Sequence, residues 1–187
     1  MAASRRRFNT ELLLGISATF LSLAALIVSI VQTKIAREQQ QASVWPHLEA
    51  DFTKTSDEFQ WAAINNGVGP AIVKSVEITY QGKVYTDASQ LMKEQIDQTI
   101  QAYPKGRRLS LELYNGSITS GDVIKNDGQI TLGKVAKSEQ IANTLLEVIQ
   151  DSSYHFRVTY SDIYNNCWLL DYTQGRSQVT QLSNCPN

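Results

Sequence analysis

The sequence predicts a mainly β protein: an N-terminal transmembrane helix, then an antiparallel β-sandwich, immunoglobulin-like in the loose sense, with two helical insertions. Three observations predict it. Residues 12–31 carry no charge. From Leu48 onward, apolar and polar residues alternate in seven to nine short stretches. Residues 87–103 and 137–151 interrupt that alternation with a helical period. A mixed α+β sheet is the alternative. The implied organisation is a cytoplasmic N-terminus at 1–11, a signal anchor at 12–31, a helical stalk at 32–46 and an extracytoplasmic β-rich domain at 47–187.

The anchor comes first. Twenty uncharged residues in a helix span about 30 Å, the thickness of the hydrocarbon core. A soluble core helix is rarely apolar all round for that length. A cleaved signal peptide is the other reading. Its apolar region is shorter, about 7–15 residues, and the following "VQTKIAREQQ" offers no small-residue cleavage site. Arg5, Arg6 and Arg7 precede the span, and Lys34 and Arg37 follow it. The positive excess places the N-terminus in the cytoplasm and the remainder outside it, as expected for a bacterial inner-membrane protein with a periplasmic domain.

The stalk "QTKIAREQQQAS" is polar and rich in helix formers. Pro46 ends it, because Trp45 before a proline avoids the helical region. Trp45 has two readings, the membrane–water interface or packing against the domain. Leu48, Ala50 and Phe52, then Phe59, Trp61 and Ala63, form alternating strands. "NNGVGPA" is a glycine-rich turn. Ile72, Val76, Ile78 and Tyr80 make the next face, and Gln81 and Gly82 turn it into Val84 and Tyr85. In the first helix Leu91, Met92, Ile96, Ile100 and Tyr103 share a face, Asp87 or Ser89 caps it, and Pro104 follows its end. Leu109, Leu111 and Leu113 alternate as a strand. Val123 and Ile124, then "QITLG", follow as short strands. Ser138 caps the second helix, which presents Ile141, Leu145 and Val148. Tyr154, Phe156, Val158 and Tyr160 form the last inward face, with a hairpin tip at Asn165 and Asn166. The stretch beyond that hairpin is polar and reads as poor in strand.

"SVWPHLE", "NNGVGPA" and "IYNNCW" occur in that order. In this the chain resembles small bacterial envelope proteins with one N-terminal span and a β domain behind it. Those proteins show a V-W-P entry after a Gln-rich stalk, a glycine–proline turn and a C-terminal strand pair holding Cys-Trp. The resemblance implies an extracytoplasmic β domain and brings no catalytic residue.

Charge and motifs narrow the function. The net charge is −1, and from Leu48 onward 12 Lys and Arg face 16 Asp and Glu. No basic face for nucleic acid is expected, and the "GRR" at 106–108 reads as a solvated turn. His47 and His155, with two cysteines, form no H-x-x-x-H, C-x-x-C or H-E-x-x-H pattern, so no metal or other cofactor is expected. There is no G-x-S-x-G, and "NGVGP" lacks the Lys and Ser or Thr of a phosphate loop. His155 near Ser161 or Asp162, and a cluster of Asp51, Asp57 and Glu58, are the remaining catalytic candidates. Acidic residues at a sheet edge ordinarily keep strands from associating. The expectation is therefore a non-catalytic binding or assembly module, with the bilayer and another envelope protein as partners. The alternative is an envelope hydrolase using acidic residues and His155. Cys167 and Cys185 are 18 residues apart, and an oxidising compartment favours a disulfide between them, whereas inverted topology would leave two free thiols.

Overall fold

The computed structural model describes residues 9–102 and 111–185. Arg5, Arg6, Arg7, Tyr103, Pro104, the 106–108 stretch and Leu109 lie outside the described residues. The chain parts into two compact units between Ala42 and Ser43. The described residues are 36% helix and 37% strand, so the protein is as helical as it is stranded.

The first unit is the helix α1 (Thr10–Ala42), which is long and apolar enough to cross a membrane. Its 33 residues extend roughly 50 Å. The hydroxyls inside it bond back to the helix. Ser17, Thr19, Ser22 and Thr33 donate to the carbonyls of Leu14, Gly15, Ala18 and Ser29 at 2.7–3.0 Å. No polar group of these four side chains is therefore left bare in an apolar medium.

The second unit begins with β1 (Leu48–Lys54), β2 (Phe59–Asn65), β3 (Ala71–Tyr80), β4 (Lys83–Tyr85) and α2 (Ala88–Ala102). It continues with β5 (Glu112–Asn115), β6 (Val123–Ile124), β7 (Gln129–Ala136), α3 (Glu139–Gln150), β8 (His155–Ser161), β9 (Cys167–Thr173) and β10 (Arg176–Leu182). One sheet has the order β1-β2-β7-β5. The other has the order β10-β9-β8-β3-β4, with β6 also on β3. Every pairing is antiparallel.

Alternation along β1 and β2 turns Phe52 and Trp61 toward rings of the second sheet. Phe52 lies 4.5 Å from Tyr172, and Trp61 meets Phe156 edge-on at 5.2 Å, centroid to centroid. Trp61 and Phe156 are fully buried while Phe52 is partly so, and complete burial of a side chain such as Phe contributes on the order of 1.5–3 kcal/mol. The helices add to the same core. Ser138 accepts from the Ile141 N–H as the N-cap of α3, whose Ile141, Leu145 and Val148 are buried. Asp87 accepts from the Gln90 N–H at 2.9 Å and starts α2, whose Leu91, Met92 and Ile96 are buried.

Four expectations need correction. Ile100 is exposed, because the last turn of α2 runs beyond the core. The strand near Leu113 is β5, and all four of its residues are exposed because it is a sheet edge. A register shift between Val73 and Ser75 changes the phase of β3, so Val73 rather than Ile72 enters the core. The polar stretch after the last hairpin is not poor in strand. It forms β10, which pairs with β9 from Arg176↔Thr173 to Leu182↔Cys167. Backbone bonding needs no apolar side chains, and β10 is a largely exposed edge strand.

Candidate functional site: the entry end of the β domain

The strand directions gather several connections at one end. β1 begins where β2 ends, since Leu48 is opposite Asn65. β3 starts at the same end, where Ile72 lies opposite both Val123 of β6 and Ser161 of β8. The strap at residues 43–47, the turn at 66–70, β6 and the tip at 162–166 are therefore neighbours. We call this the entry end.

Asn65 organises it. The side chain is fully buried. Its Oδ1 accepts from the backbone N–H of His47 at 3.1 Å and of Gly67 at 3.0 Å. Its Nδ2 donates to the carbonyls of Gly69 at 2.8 Å and Ile124 at 2.9 Å. One amide thus joins the strap, the glycine turn and β6. The turn then closes on the strap through its backbone. Asn66 N–H donates to the His47 carbonyl at 2.8 Å, and Val68 N–H to that of Trp45 at 3.0 Å. A Cβ on Gly67 would meet the backbone of residues 45–47, and one on Gly69 would meet Val44. Glycine is required at both positions because two backbones touch there.

The second sheet ties in from behind. The Tyr160 hydroxyl accepts from the Leu48 N–H at 3.2 Å, and the Ser177 hydroxyl from the Ala50 N–H at 3.4 Å. Side chains thereby occupy two donors on the free edge of β1. Burial pushes the Tyr160 phenol up to about 12.

The hairpin tip is built around Asp162, a buried carboxylate. It accepts from the backbone N–H of Tyr164 at 2.8 Å and of Asn166 at 2.9 Å, and from the Asn166 side chain at 2.8 Å. Cys167 follows the tip and stands at disulfide distance from Cys185, with their Cα atoms 5.4 Å apart. The buried side chains of Asn65 and Asp162 are bonded within this end, and five of its larger apolar side chains face out. Val68 is 64% exposed, Val123 57%, Ile163 56%, Trp45 43% and Tyr164 39%. Trp45 tilts against His47 at 5.1 Å and leaves much of its ring in solvent.

The catalytic candidates are not brought together. His155 is on β8, while Asp51, Asp57 and Glu58 are on or beside strands of the other sheet. Asp51 accepts from Thr53, Asp57 from Ser56, and Glu58 pairs with Lys134 at 3.3 Å. Ser161 is six residues along the strand from His155, about 20 Å away. His47 meets Glu49 at 3.2 Å, and Glu49 also accepts from Asn66 at 2.9 Å. Among the described residues no group of three or more His, Cys, Asp or Glu side chains is placed to hold a metal ion. Sequence reasoning singled out the glycine turn and the tip, passed over Asn65, and named Asp162 only as a partner for His155. Their signal was faint: each opens a turn ahead of other turn formers, the position from which a short polar side chain reaches backbone N–H groups.

No curated protein and no solved structure matches the chain. A family model does, over residues 13–179, a span that takes in most of α1 and nearly all of the β domain. The chain belongs to that family, described as a domain of unknown function (DUF8453).

Proposed function

We propose that this chain is a single-pass, membrane-anchored binding or assembly module of the bacterial inner membrane. The β domain, a sandwich of loosely immunoglobulin-like order, faces the periplasm, and Cys167 and Cys185 are oxidised there. It acts without catalysis, and another envelope protein is its macromolecular partner. The observation that carries the non-catalytic, surface-binding part of this reading is the entry end. Its buried polar side chains, Asn65 and Asp162, bind backbone rather than facing an open site. Its large apolar side chains are displayed on connections that those bonds hold in place. Preorganised apolar anchors favour binding, because little conformational freedom remains to be lost.

A reporter fused after Asn187 tests the placement. A reporter that works only outside the cytoplasm is expected to be active, and activity confined to the cytoplasm overturns the topology. Photo-crosslinking from the β domain in cells then tests the role. Capture of a defined envelope protein is expected, and turnover of a small substrate by the purified chain would overturn the non-catalytic reading.

A further inference from the structure

We infer that the entry end of the β domain docks on the bilayer surface, with Trp45, Val68, Val123, Ile163 and Tyr164 seated at the lipid–water interface. The inference rests on the reading of α1 as a membrane span. Four features of the molecule lead to it.

The tether is short. Only residues 32–42 separate the apolar run from the strap. As upright helix they rise about 16 Å, past a headgroup layer about 5–7 Å thick, so docking requires this short stalk to lean toward the surface. The strap is the first part of the domain that the chain reaches, so the entry end is the part tied nearest the membrane. The side-chain chemistry also fits. Tryptophan and tyrosine prefer that interface, where the ring is apolar and the N–H or O–H stays wet. The five residues project from four separate connections rather than lining one groove. A fluid surface accepts such points without needing a complementary shape. Finally, three carboxylates at this end are held by local donors. Glu49 is taken by His47 and Asn66, Asp122 by Thr119, and Asp162 by the tip. Each keeps its charge, as does the exposed Asp127 beside Asn65, but each of the three already has a protein partner that docking on a zwitterionic surface leaves in place.

The test uses the full chain reconstituted in phosphatidylcholine vesicles whose acyl chains are either ordinary or brominated. Bromine quenches only tryptophan close to it. Trp61 and Trp168 are buried, and the Trp45 signal is isolated as the difference from W45F. Trp45 emission is expected to be quenched by the brominated chains, and the quenching to be relieved in I163D/Y164D and in V68D. Circular dichroism identifies a variant that has failed to fold, and the other variant then serves. If the chain floats with vesicles and Trp45 is unquenched, docking is overturned and the anchor stands. Quenching that persists in both aspartate variants also overturns docking, because the tether alone then accounts for it. If the rim is instead occupied by a second copy, copies crosslink through Tyr164 and ordinary and brominated vesicles give the same emission, which overturns it too. A chain that does not float overturns the anchor reading first.

Discussion

At the far end of the β domain the chain turns through Ser56 and Asp57, Gln81 and Gly82, Asp151 and Ser153, and Gln174 and Gly175. Those connections are polar, and they bond to one another: the Gln81 N–H donates to the Ser153 hydroxyl at 3.3 Å, and the Ser138 N–H to the Asp57 carbonyl at 3.1 Å. Asp151 accepts from the N–H and hydroxyl of Ser153 at 2.7 Å, which holds its carboxyl below the usual range. At the entry end the connections carry Trp45, Val68, Ile163 and Tyr164, and one fully buried side chain ties three of the segments beneath them together. Asn65 bonds His47, 18 positions earlier, and Ile124, 59 positions later. The same strands run through both ends, so strand propensity does not explain the difference. The far end is finished as a solvent-facing surface. The entry end is braced from inside while its apolar residues stay outside, the arrangement expected of a surface that meets something.

The largest effect expected from this contrast is at Asn65. Asn65→Ala leaves the N–H groups of His47 and Gly67 and the carbonyls of Gly69 and Ile124 without that partner. At about 1–3 kcal/mol for each buried group left unpaired, the loss is on the order of 4 kcal/mol or more. Asp151→Ala at the far end removes bonds that water can replace, so its shift is far smaller. Urea unfolding of the two variants, followed in detergent micelles, compares the ends directly. Equal midpoints would mean that the strap is not held by Asn65.

The cysteine pair gives the next effect. Closing an 18-residue separation is worth about 3 kcal/mol in the chain-entropy model. Cys185→Ser should lower stability by that order, and a dithiol reductant should do the same to the native chain. The change should also be local. Amide exchange should quicken around Asn165 and the end of β10, and remain unchanged at the far turn of Gln174 and Gly175. No difference between native and reduced chain would show that β10 pairing alone holds this segment.

How much of this was legible in advance follows the range of the interactions. The apolar run, the Ser138 cap and the alternation of β1 and β2 depend on residues a few positions apart, and periodicity shows them. The glycine turn was legible as a turn, but not as a clasp, since the backbone of residues 44–47 that forbids a Cβ comes from another part of the chain. β10 was misread because an edge strand needs only a paired backbone on one side, which leaves no apolar signature. The shift at Val73 was hidden because a bulge reverses the phase of an otherwise regular pattern. The rim could not be read from sequence at all: Val68, Val123 and Ile163 are ordinary turn and strand residues until topology brings three distant connections to one end.

The finest test of the two ends compares two tyrosines at opposite ends of β8. Tyr154 immediately precedes β8 and Tyr160 lies near its end, and both rings are buried in the core. Tyr160, at the entry end, accepts from the Leu48 N–H; the Tyr154 hydroxyl, toward the far end, is buried with no hydrogen-bond partner among the described residues. Tyr160→Phe should therefore cost about 1 kcal/mol at neutral pH, because it leaves the Leu48 N–H unpaired. Tyr154→Phe should be neutral or slightly stabilising, since it removes a buried hydroxyl that bonds nothing. Alkaline pH separates the two states of each ring. Burial raises the phenol above 10 in the folded chain, to about 12 for Tyr160, so the folded state keeps its proton longer than the unfolded one. That stability is complete below pH 10 and is lost as pH rises toward 12, by roughly 3 kcal/mol for Tyr160. Each phenylalanine variant should lose its share of that alkaline slope. If Tyr154→Phe instead destabilises as much as Tyr160→Phe at neutral pH, its hydroxyl has a partner, and the two ends of β8 are braced alike.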